Sequence, residues 1–240
     1  RDDITEEIPE VDMVVGIGSN GKIAELVRDA LAGKEGNSYG EKFSLDLDGK
    51  RILGGVPYSA YIKIADGCDN CCTYCAIPRI RGRFRSRPIE DIVAEAKNLE
   101  ALGIKELTVV AQDTTRYGLD LYGEYRLDKL LRAITDATKS VRLRLLYCYP
   151  DKITDALVAE IRDNDRIIKY IDMPIQHISD HMLKAMNRHG DSAMIKDAIA
   201  RLRTIPGMTL RTTFIVGFPG ETEEDFLELC EFTKEARFDR

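Results

Sequence analysis

From Tyr58 onward the chain alternates between short apolar segments and longer amphipathic ones, and this alternation constrains the fold more than any other feature. The sequence predicts strands at 58–66, 105–111, 142–148, 167–173 and 208–216. It predicts helices at 88–102, 127–139, 154–163, 179–188, 192–203 and 222–236. Regular alternation of strands and helices favours a parallel sheet that is covered by helices.

The length of this region decides between a closed barrel and an open one. A closed eight-stranded barrel takes about 250 residues, whereas the whole chain has 240 and the alternating region is residues 58–240. We therefore predict an α/β fold: a partial, open TIM-like barrel of about six parallel strands with outer helices. A sixth strand is expected to begin near Phe238.

Residues that precede the alternating region form two smaller units. Residues 11–16 read as a strand and 22–31 as a helix, a pair too small to bury a core. We expect 1–36 to be the tail of a truncated amino-terminal α/β domain. Residues 37–57 are predicted to be a linker hairpin, because apolar and polar residues alternate around Asp48-Gly49. The main domain is then 58–240.

Composition excludes several classes of protein. With 35 basic and 41 acidic side chains the net charge is −6, which disfavours a chain that coats nucleic acid with its whole surface. No run approaches the 18 apolar residues of a membrane span. The first ten residues are acidic and lack the apolar core of a signal peptide, so we expect a cytoplasmic protein without a membrane partner.

Four of the six cysteines fall within eight residues, directly after the first predicted strand. Cys68, Cys72 and Cys75 have the spacing C-x3-C-x2-C. Three thiolates on one loop suit an iron–sulfur cubane, which would keep one iron open for a ligand. A structural zinc site with Cys71 or a histidine as fourth ligand is an alternative, and disulfides or free thiols are another. Cys71 is predicted not to be a ligand.

This loop resembles that of the radical S-adenosylmethionine (SAM) superfamily, including the aromatic Tyr74 before the third cysteine. The resemblance implies that Cys68, Cys72 and Cys75 bind a 4Fe–4S cluster whose open iron chelates SAM. It also implies that Tyr74 lies beside the adenine. Reductive cleavage of SAM in that superfamily gives a 5′-deoxyadenosyl radical, so the cofactors carry the hard chemistry and no side chain is assigned as catalytic.

Polar residues follow each predicted strand, and the carboxyl ends of parallel strands form the active-site edge of such folds. Five groups are expected to converge there: 68–75, 112–113, 147–149, 176–177 and 217–221. From these and their neighbours we predict contacts between SAM and five further side chains. Gln112 and Asp113 would bind its amino group or ribose, and Gln176, Arg188 and Arg211 its carboxylate or ribose. Structural hydrogen bonds and surface ion pairs are the competing interpretation for each.

Four segments make the chain similar to the methylthiotransferase family, and most of all to its RimO-type branch, which modifies a small-subunit ribosomal protein. They are 77–88, 110–115, 146–150 and 172–179. The resemblance implies transfer of a methylthio group to the β-carbon of an aspartate. Modification of isopentenyl-adenosine in tRNA is the alternative within the family, and a zinc- or iron-binding interaction module without enzymatic activity is a distant one.

The resemblance also predicts what this chain lacks. The family's amino-terminal domain brings three more cysteines and a second 4Fe–4S cluster, and a small carboxyl-terminal TRAM domain helps to grip the target. We expect the present chain to bind one cluster and cleave SAM without completing methylthiolation. The expected partners are a ribosomal small-subunit protein and an electron donor such as flavodoxin or ferredoxin, while direct RNA contact is left open.

Arginines recur at every second position from Arg79 to Arg87. If this segment is extended, the five side chains share one face and make a positive stripe beside the cysteine loop. Attraction of an anionic target or cofactor is one interpretation, and a solvated face that is paired with acids elsewhere is the other.

Overall fold

A computed structural model describes residues 2–34, 36–41 and 53–240 of the chain. The strands are β1 (Ser59–Lys63), β2 (Ala65–Asp66), β3 (Arg85–Ser86), β4 (Glu106–Val110), β5 (Arg142–Leu145), β6 (Ile167–Asp172) and β7 (Thr209–Arg211). The helices are α1 (Asp2–Glu7), α2 (Ile23–Leu31), α3 (Ile77–Arg81), α4 (Ile89–Ala101), α5 (Leu119–Tyr122), α6 (Leu127–Ala137), α7 (Asp155–Asp163), α8 (Asp180–Ala185), α9 (Ser192–Arg203) and α10 (Glu223–Ala236). None of the described helices is both long and apolar enough to cross a membrane.

Five strands form one parallel sheet in the order β1-β4-β5-β6-β7. Each neighbour follows the previous one along the chain, so every crossover steps in the same direction, as in a barrel that has not closed. The chain's last residues pair with the open edge of β7, where Asp239 donates its N–H to Leu210 (2.9 Å) and Thr212 donates to the carbonyl of Arg240 (3.0 Å). The predicted partial barrel is confirmed, with pairing of the sixth segment begun at these residues.

One apolar core joins the outer face of the sheet to the helices. Alternate residues of the strands, such as Leu107 and Leu143, are fully buried against helix side chains such as Leu130 and Ile134. That alternation leaves the other strand face pointing into the concave side of the open barrel. The six predicted core helices are confirmed in place, and α10 begins with a capping box of Thr222 and Asp225.

The first predicted strand is wrong in one respect, because it divides in two. After β1, Ile64 accepts a hydrogen bond from the N–H of Arg87 (2.9 Å), and β2 turns to pair antiparallel with β3. Buried Asp66 supplies a physical reason, since it forms an ion pair with Lys63 (2.8 Å) and lies 3.6 Å from a guanidinium nitrogen of Arg81. The cysteine loop therefore starts from this two-stranded ribbon and not from the parallel sheet itself.

The amino-terminal segment departs further from expectation. The predicted strand at 11–16 is wrong: it forms only an isolated parallel bridge between Val15 and Ser38, followed by a short 3₁₀ helix at Ile17–Lys22. The predicted helix at 22–31 is confirmed as α2. Most of the predicted hairpin within 37–57 falls on residues 42–52, outside the described residues.

Candidate functional site

The cysteine loop leaves β2 through Gly67, which has a φ of +76°. A Cβ at this position would lie 2.1 Å from the carbonyl oxygen of Arg83, so only glycine fits both the turn and the close approach. The next residue binds the same segment, because the N–H of Cys68 donates to the carbonyl of Gly82 (3.2 Å). Contacts within the chain therefore hold the backbone around the first cysteine in place.

Two acidic side chains fix the rest of the loop. Asp69 accepts hydrogen bonds from Arg83 Nε (2.7 Å) and from the backbone N–H of Phe84 (3.1 Å). Asn70, only 1% exposed, donates from its amide to Asp113 (2.9 Å). The loop is thus attached both to the segment before β3 and to the end of β4.

The carboxyl half of the loop rests on the end of α8. Thr73 donates its backbone N–H to Met186 (3.1 Å), and the amide of Asn187 donates to the carbonyl of Cys71 (2.9 Å). Cys71 itself has a φ of +51° and an exposed side chain. Such a left-handed conformation is costly for a residue with a Cβ and separates its side chain from that of its neighbour.

The three predicted ligands differ in exposure from Cys71. Cys68 and Cys72 are buried and Cys75 is half-buried. Burial raises the pKa of the Cys68 thiol to about 11. Since a metal binds the thiolate, loading this site must release protons and is expected to be easier at alkaline pH.

A cavity of about 570 Å³ opens at the carboxyl ends of the parallel strands. Eight of the nine predicted site residues line it, namely Cys68, Cys72, Tyr74, Cys75, Gln112, Gln176, Arg188 and Arg211. Tyr147, Tyr149 and Thr213 also line it, so the cavity brings together side chains that follow all five strands of the sheet. The segment 217–221 is the exception among the five predicted groups, because it lines a neighbouring depression of about 370 Å³ instead.

Two amide oxygens in this cavity lack partners. Oε1 of Gln112 and Oε1 of Gln176 are buried and accept no hydrogen bond from any part of the chain that the structure describes. A buried carbonyl oxygen without a donor is destabilising unless a ligand or water supplies one. Gln176 also has a φ of +71°, and backbone strain of this kind concentrates at functional sites.

Arg188 lies against a tyrosine and a cysteine at the back of the cavity. Its guanidinium stacks on the ring of Tyr149 at 3.9 Å from the centroid, donates to the carbonyl of Pro174 (2.5 Å), and reaches the sulfur of Cys72 at 3.9 Å. The Tyr149 hydroxyl is 2.8 Å from the same sulfur. Burial holds the pKa of the Tyr149 hydroxyl far above its usual range, so it stays protonated and able to donate.

Arg211 enters the cavity from the end of β7. It forms an ion pair with Asp172, which is 1% exposed, while the arginine side chain keeps 42% of its own surface exposed. The other oxygen of Asp172 accepts from the backbone N–H of Tyr147 (3.3 Å), whose φ is +59°. Arg211 therefore presents a positioned positive charge to the cavity.

Asp113 is the one predicted contact that does not line the cavity. Its carboxylate accepts from the hydroxyl of Thr115 (2.6 Å) and from Asn70, and it lies 3.3 Å from the ammonium of buried Lys152. It also accepts from the N–H of Arg116 (3.2 Å), which caps a short 3₁₀ turn. These contacts fit a residue that anchors the cysteine loop, and a direct contact with SAM stays a prediction.

The segment after β7 is tied to buried His177. Because His177 Nδ1 accepts from the N–H of Ser179 (3.0 Å), the proton lies on Nε2, which faces Glu221 Oε1 at 3.2 Å. The second oxygen of Glu221 accepts from the N–H groups of Gly217 and Phe218. Phe218 in turn packs edge-on against the ring of Tyr74, 6.3 Å between centroids. This segment thus supports the cavity wall.

The arginine stripe is not extended, so the predicted single face is wrong for its first half. Arg79 and Arg81 belong to α3, which begins at Ile77 directly after the cysteine loop and has Pro78 in its first turn. The later arginines contact acids: Arg83 pairs with Asp69 as above, and buried Arg87 pairs with Glu95 (2.6 Å). The interpretation of a face paired with acids fits these contacts better than a free positive surface.

Sequence reasoning placed Tyr147 and Tyr149 at this edge within the group 147–149 but assigned them no contact, and it did not name Thr213; all three line the cavity. Position alone was the available signal, since each lies just beyond the end of a strand. In the described residues, no three His, Cys, Asp or Glu side chains are grouped to hold a single metal ion. A cubane has a different requirement, because each thiolate binds a separate iron.

Comparison with known proteins gives close relatives in bacteria. The ribosomal protein uS12 methylthiotransferase RimO of Desulforamulus reducens is 51% identical over 99% of this chain. The protein of the same name in Thermoanaerobacter sp. is 50% identical over 99%, and that in Geobacter sulfurreducens is 47% identical over 100%. The chain covers 54%, 55% and 54% of these proteins, so it spans about half the length of the curated relatives that it matches.

Solved structures share the fold at low sequence identity. The radical S-adenosylmethionine methyltransferase TsrM from Kitasatospora setae aligns with a TM-score of 0.72 and 15% identity, over 93% of this chain and 49% of that one. Methylornithine synthase (PylB) aligns with a TM-score of 0.53 and 13% identity, over 76% and 51%. Residues 62–233 match the family described as the radical SAM superfamily, from the middle of β1 to the last turns of α10. The chain belongs to the radical SAM superfamily.

Proposed function

We propose that this chain is the radical-generating part of a methylthiotransferase that modifies an aspartate of ribosomal protein uS12. The observation that carries the proposal is the convergence of Cys68, Cys72 and Cys75 with the cavity at the strand ends. Superfamily membership implies a 4Fe–4S cluster and SAM as cofactors. The reaction and substrate are proposed from the names of relatives that are about 50% identical.

The cavity residues fit such cofactors. Three cysteines on one preorganised loop are the soft ligands that iron prefers. The partnerless oxygens of Gln112 and Gln176 suit an amino group or ribose hydroxyls, which are donors. Arg188 and Arg211 suit a carboxylate. Tyr74, against Phe218, offers an aromatic surface for an adenine.

The bound cofactors would supply a carbon-centred radical by one-electron cleavage of SAM. The chain's own residues would bind and orient these cofactors and shield them from water. Arg188 is 9% exposed and closes the rear of the cavity over Tyr149, so solvent is excluded beside Cys72. The open concave side of the sheet leaves a route for a substrate segment to bring its β-carbon near the cavity, since a radical must approach the hydrogen it removes closely.

The net charge of −6 favours a protein substrate over tRNA. A protein that neutralises many phosphates needs unpaired lysines and arginines, but Arg83 and Arg87 are engaged with acids. Modification of isopentenyl-adenosine in tRNA is the alternative outcome of the test. A zinc- or iron-binding module without activity is the second, and the described residues offer it no single-ion site.

The substrate is tested with the protein extended to the length of its relatives, after anaerobic reconstitution with iron and sulfide. It is given SAM, a reductant and either the uS12 loop peptide or isopentenyl-adenosine tRNA, and each product is examined by mass spectrometry. We expect a methylthio group on the aspartate of the peptide. Methylthiolation of the tRNA alone would reject the substrate while leaving the radical chemistry in place.

The ligand set is tested by two neighbouring substitutions. Cys71→Ala is expected to retain the iron and the absorption of a cubane, because the exposed Cys71 side chain is not required. Cys72→Ala is expected to lose the cluster. Loss of iron in Cys71→Ala with retention in Cys72→Ala would mean that the ligand register is wrong.

The domain assignment is part of the same proposal. Residues 58–240 would be the radical SAM domain, residues 1–36 the end of an amino-terminal domain that holds a second 4Fe–4S cluster, and residues 37–57 the connection between them. Flavodoxin or ferredoxin would supply the electron. We propose that the chain alone cleaves SAM but forms no methylthiolated product, and detection of that product with the chain alone would overturn this division.

A further inference from the structure

The hydroxyl of Tyr149 lies 2.8 Å from the sulfur of Cys72, deep in the cavity wall. Tyr149 is 8% exposed and Cys72 is 9% exposed, so both partners of this contact are largely buried. A thiol can donate or accept in such a pair, but a thiolate bound to iron can only accept. The tyrosine is then the donor.

The tyrosine is held by two cationic side chains at its ring and by a hydrogen bond from its backbone. Arg188 stacks on it at 3.9 Å from the centroid, and the ammonium of Lys152 lies 4.8 Å from the centroid. The N–H of Tyr149 donates to the hydroxyl of Thr115 (3.0 Å), which itself donates to Asp113. The hydroxyl is therefore aimed by a network that does not depend on Cys72.

Hydrogen bonds to cysteine sulfur stabilise the more electron-rich state of an iron–sulfur cluster and so raise its reduction potential. Building on the proposed function, we propose that Tyr149 is a positioning residue that donates a hydrogen bond to Cys72 and raises the reduction potential of the 4Fe–4S cluster. Arg188 supports it by stacking on the ring and by placing a positive charge 3.9 Å from the same sulfur.

The test measures the midpoint potential of the reconstituted cluster without SAM, by anaerobic titration followed with electron paramagnetic resonance. Tyr149→Phe keeps the ring and removes only the donor. It is expected to lower the potential so that the ratio of reduced to oxidised cluster falls at least threefold at fixed ambient potential, about 28 mV for one electron.

Tyr117→Phe is the matched control. Tyr117 is fully buried and donates its hydroxyl to the carbonyl of Arg87 (2.7 Å), and it does not line the cavity. The control loses the same atom and the same kind of bond, so its potential is expected to match the parent. An equal shift in both variants would overturn the proposal, as would an unchanged potential in Tyr149→Phe.

A second variant covers the case in which Tyr149→Phe does not assemble a cluster. Replacing Tyr149 with 3-fluorotyrosine retains the ring and hydroxyl but makes the hydroxyl a stronger donor, so the potential is expected to rise. An unchanged or lowered potential there would overturn the proposal. A parent chain that binds no cluster would instead reject the proposed function, and the two failures are therefore distinguishable.

Discussion

Gly67→Ala is expected to lower the free energy of unfolding more than Gly207→Ala does, although the two glycines have nearly the same φ. Gly67 has a φ of +76°, where a residue with a Cβ loses about 1–2 kcal/mol. The new Cβ would also lie 2.1 Å from the carbonyl oxygen of Arg83 and 2.7 Å from its carbonyl carbon. Both neighbours are backbone atoms, so relief requires the chain to move, at about 1–3 kcal/mol for overpacking.

Gly207→Ala separates the two contributions. Gly207 has nearly the same φ, +72°, but nothing lies within 4 Å of its Cβ position. In both variants alanine also lowers the entropy of the unfolded chain, which stabilises the folded state by about 0.4–1 kcal/mol and offsets part of the loss. We therefore expect the free energy of unfolding to fall by about 1 kcal/mol in Gly207→Ala and by about 3 kcal/mol in Gly67→Ala.

The assay is urea unfolding of both variants and the parent under identical conditions, with the slopes checked for equality. Iron content after reconstitution provides a second measurement, because Cys68 follows Gly67 directly. It should fall in Gly67→Ala and remain unchanged in Gly207→Ala. Equal losses of stability in the two variants would refute the argument that the close approach to Arg83 makes Gly67 necessary.

Three further substitutions test other buried groups. Arg87→Ala should lower the free energy of unfolding by about 3 kcal/mol in denaturant titrations, because it removes a buried guanidinium that binds both the Glu95 carboxylate and the carbonyl of Lys63. Hydrogen bonds, the strongest from Ser179, hold the pKa of Asp225 below its usual value, so its contribution to stability is complete above about pH 4 and is lost as the pH falls below that. Asp225→Asn should therefore flatten the decline of the melting temperature in acid, and an unchanged acid slope would count against it. His177→Gln should lower the free energy of unfolding by about 2 kcal/mol, measured by thermal unfolding, since it replaces a fully buried ring that forms two hydrogen bonds.

The fold was largely predictable because its signals are local. Strand–helix alternation, Pro88 before α4 and the Thr222 cap of α10 each act over a few residues. The failures involve non-local contacts. Division of the first strand depends on the antiparallel pairing of β2 with β3, in which Ala65 and Asp66 lie opposite Ser86 and Arg85, beyond the cysteine loop in sequence. No periodicity in residues 58–66 reveals that pairing.

The sequence predicts which loops come together at the site. It does not predict which of their side chains point into the cavity. The position of Gln176 after a strand predicts its place in the cavity, and the same reasoning places Asp113 there, where it does not lie. The difference is that Asp113 has Asn70, Thr115 and the N–H of Arg116 as partners, which turn it toward the loop. The spacing of residues in the sequence does not show whether a side chain will bind such partners or point into the cavity.

The same limit explains why the sequence placed Tyr149 at this edge without assigning it a role. Its role depends on Arg188 and Cys72, which are 39 and 77 residues away along the chain, so only the folded arrangement brings the three together. By contrast, Cys68, Cys72 and Cys75 lie on one loop and their spacing is visible in the sequence. Residues that act through neighbours in space are the least accessible part of such a site.

The central claim is that three cysteines of one loop bind a 4Fe–4S cluster that cleaves SAM. The most direct measurement is anaerobic reconstitution of this chain with iron and sulfide, followed by reduction and addition of SAM. We predict about four irons per chain, as a single cubane requires, the absorption of a cubane, and release of 5′-deoxyadenosine that depends on both SAM and reductant. One bound zinc per chain with no 5′-deoxyadenosine would contradict the account.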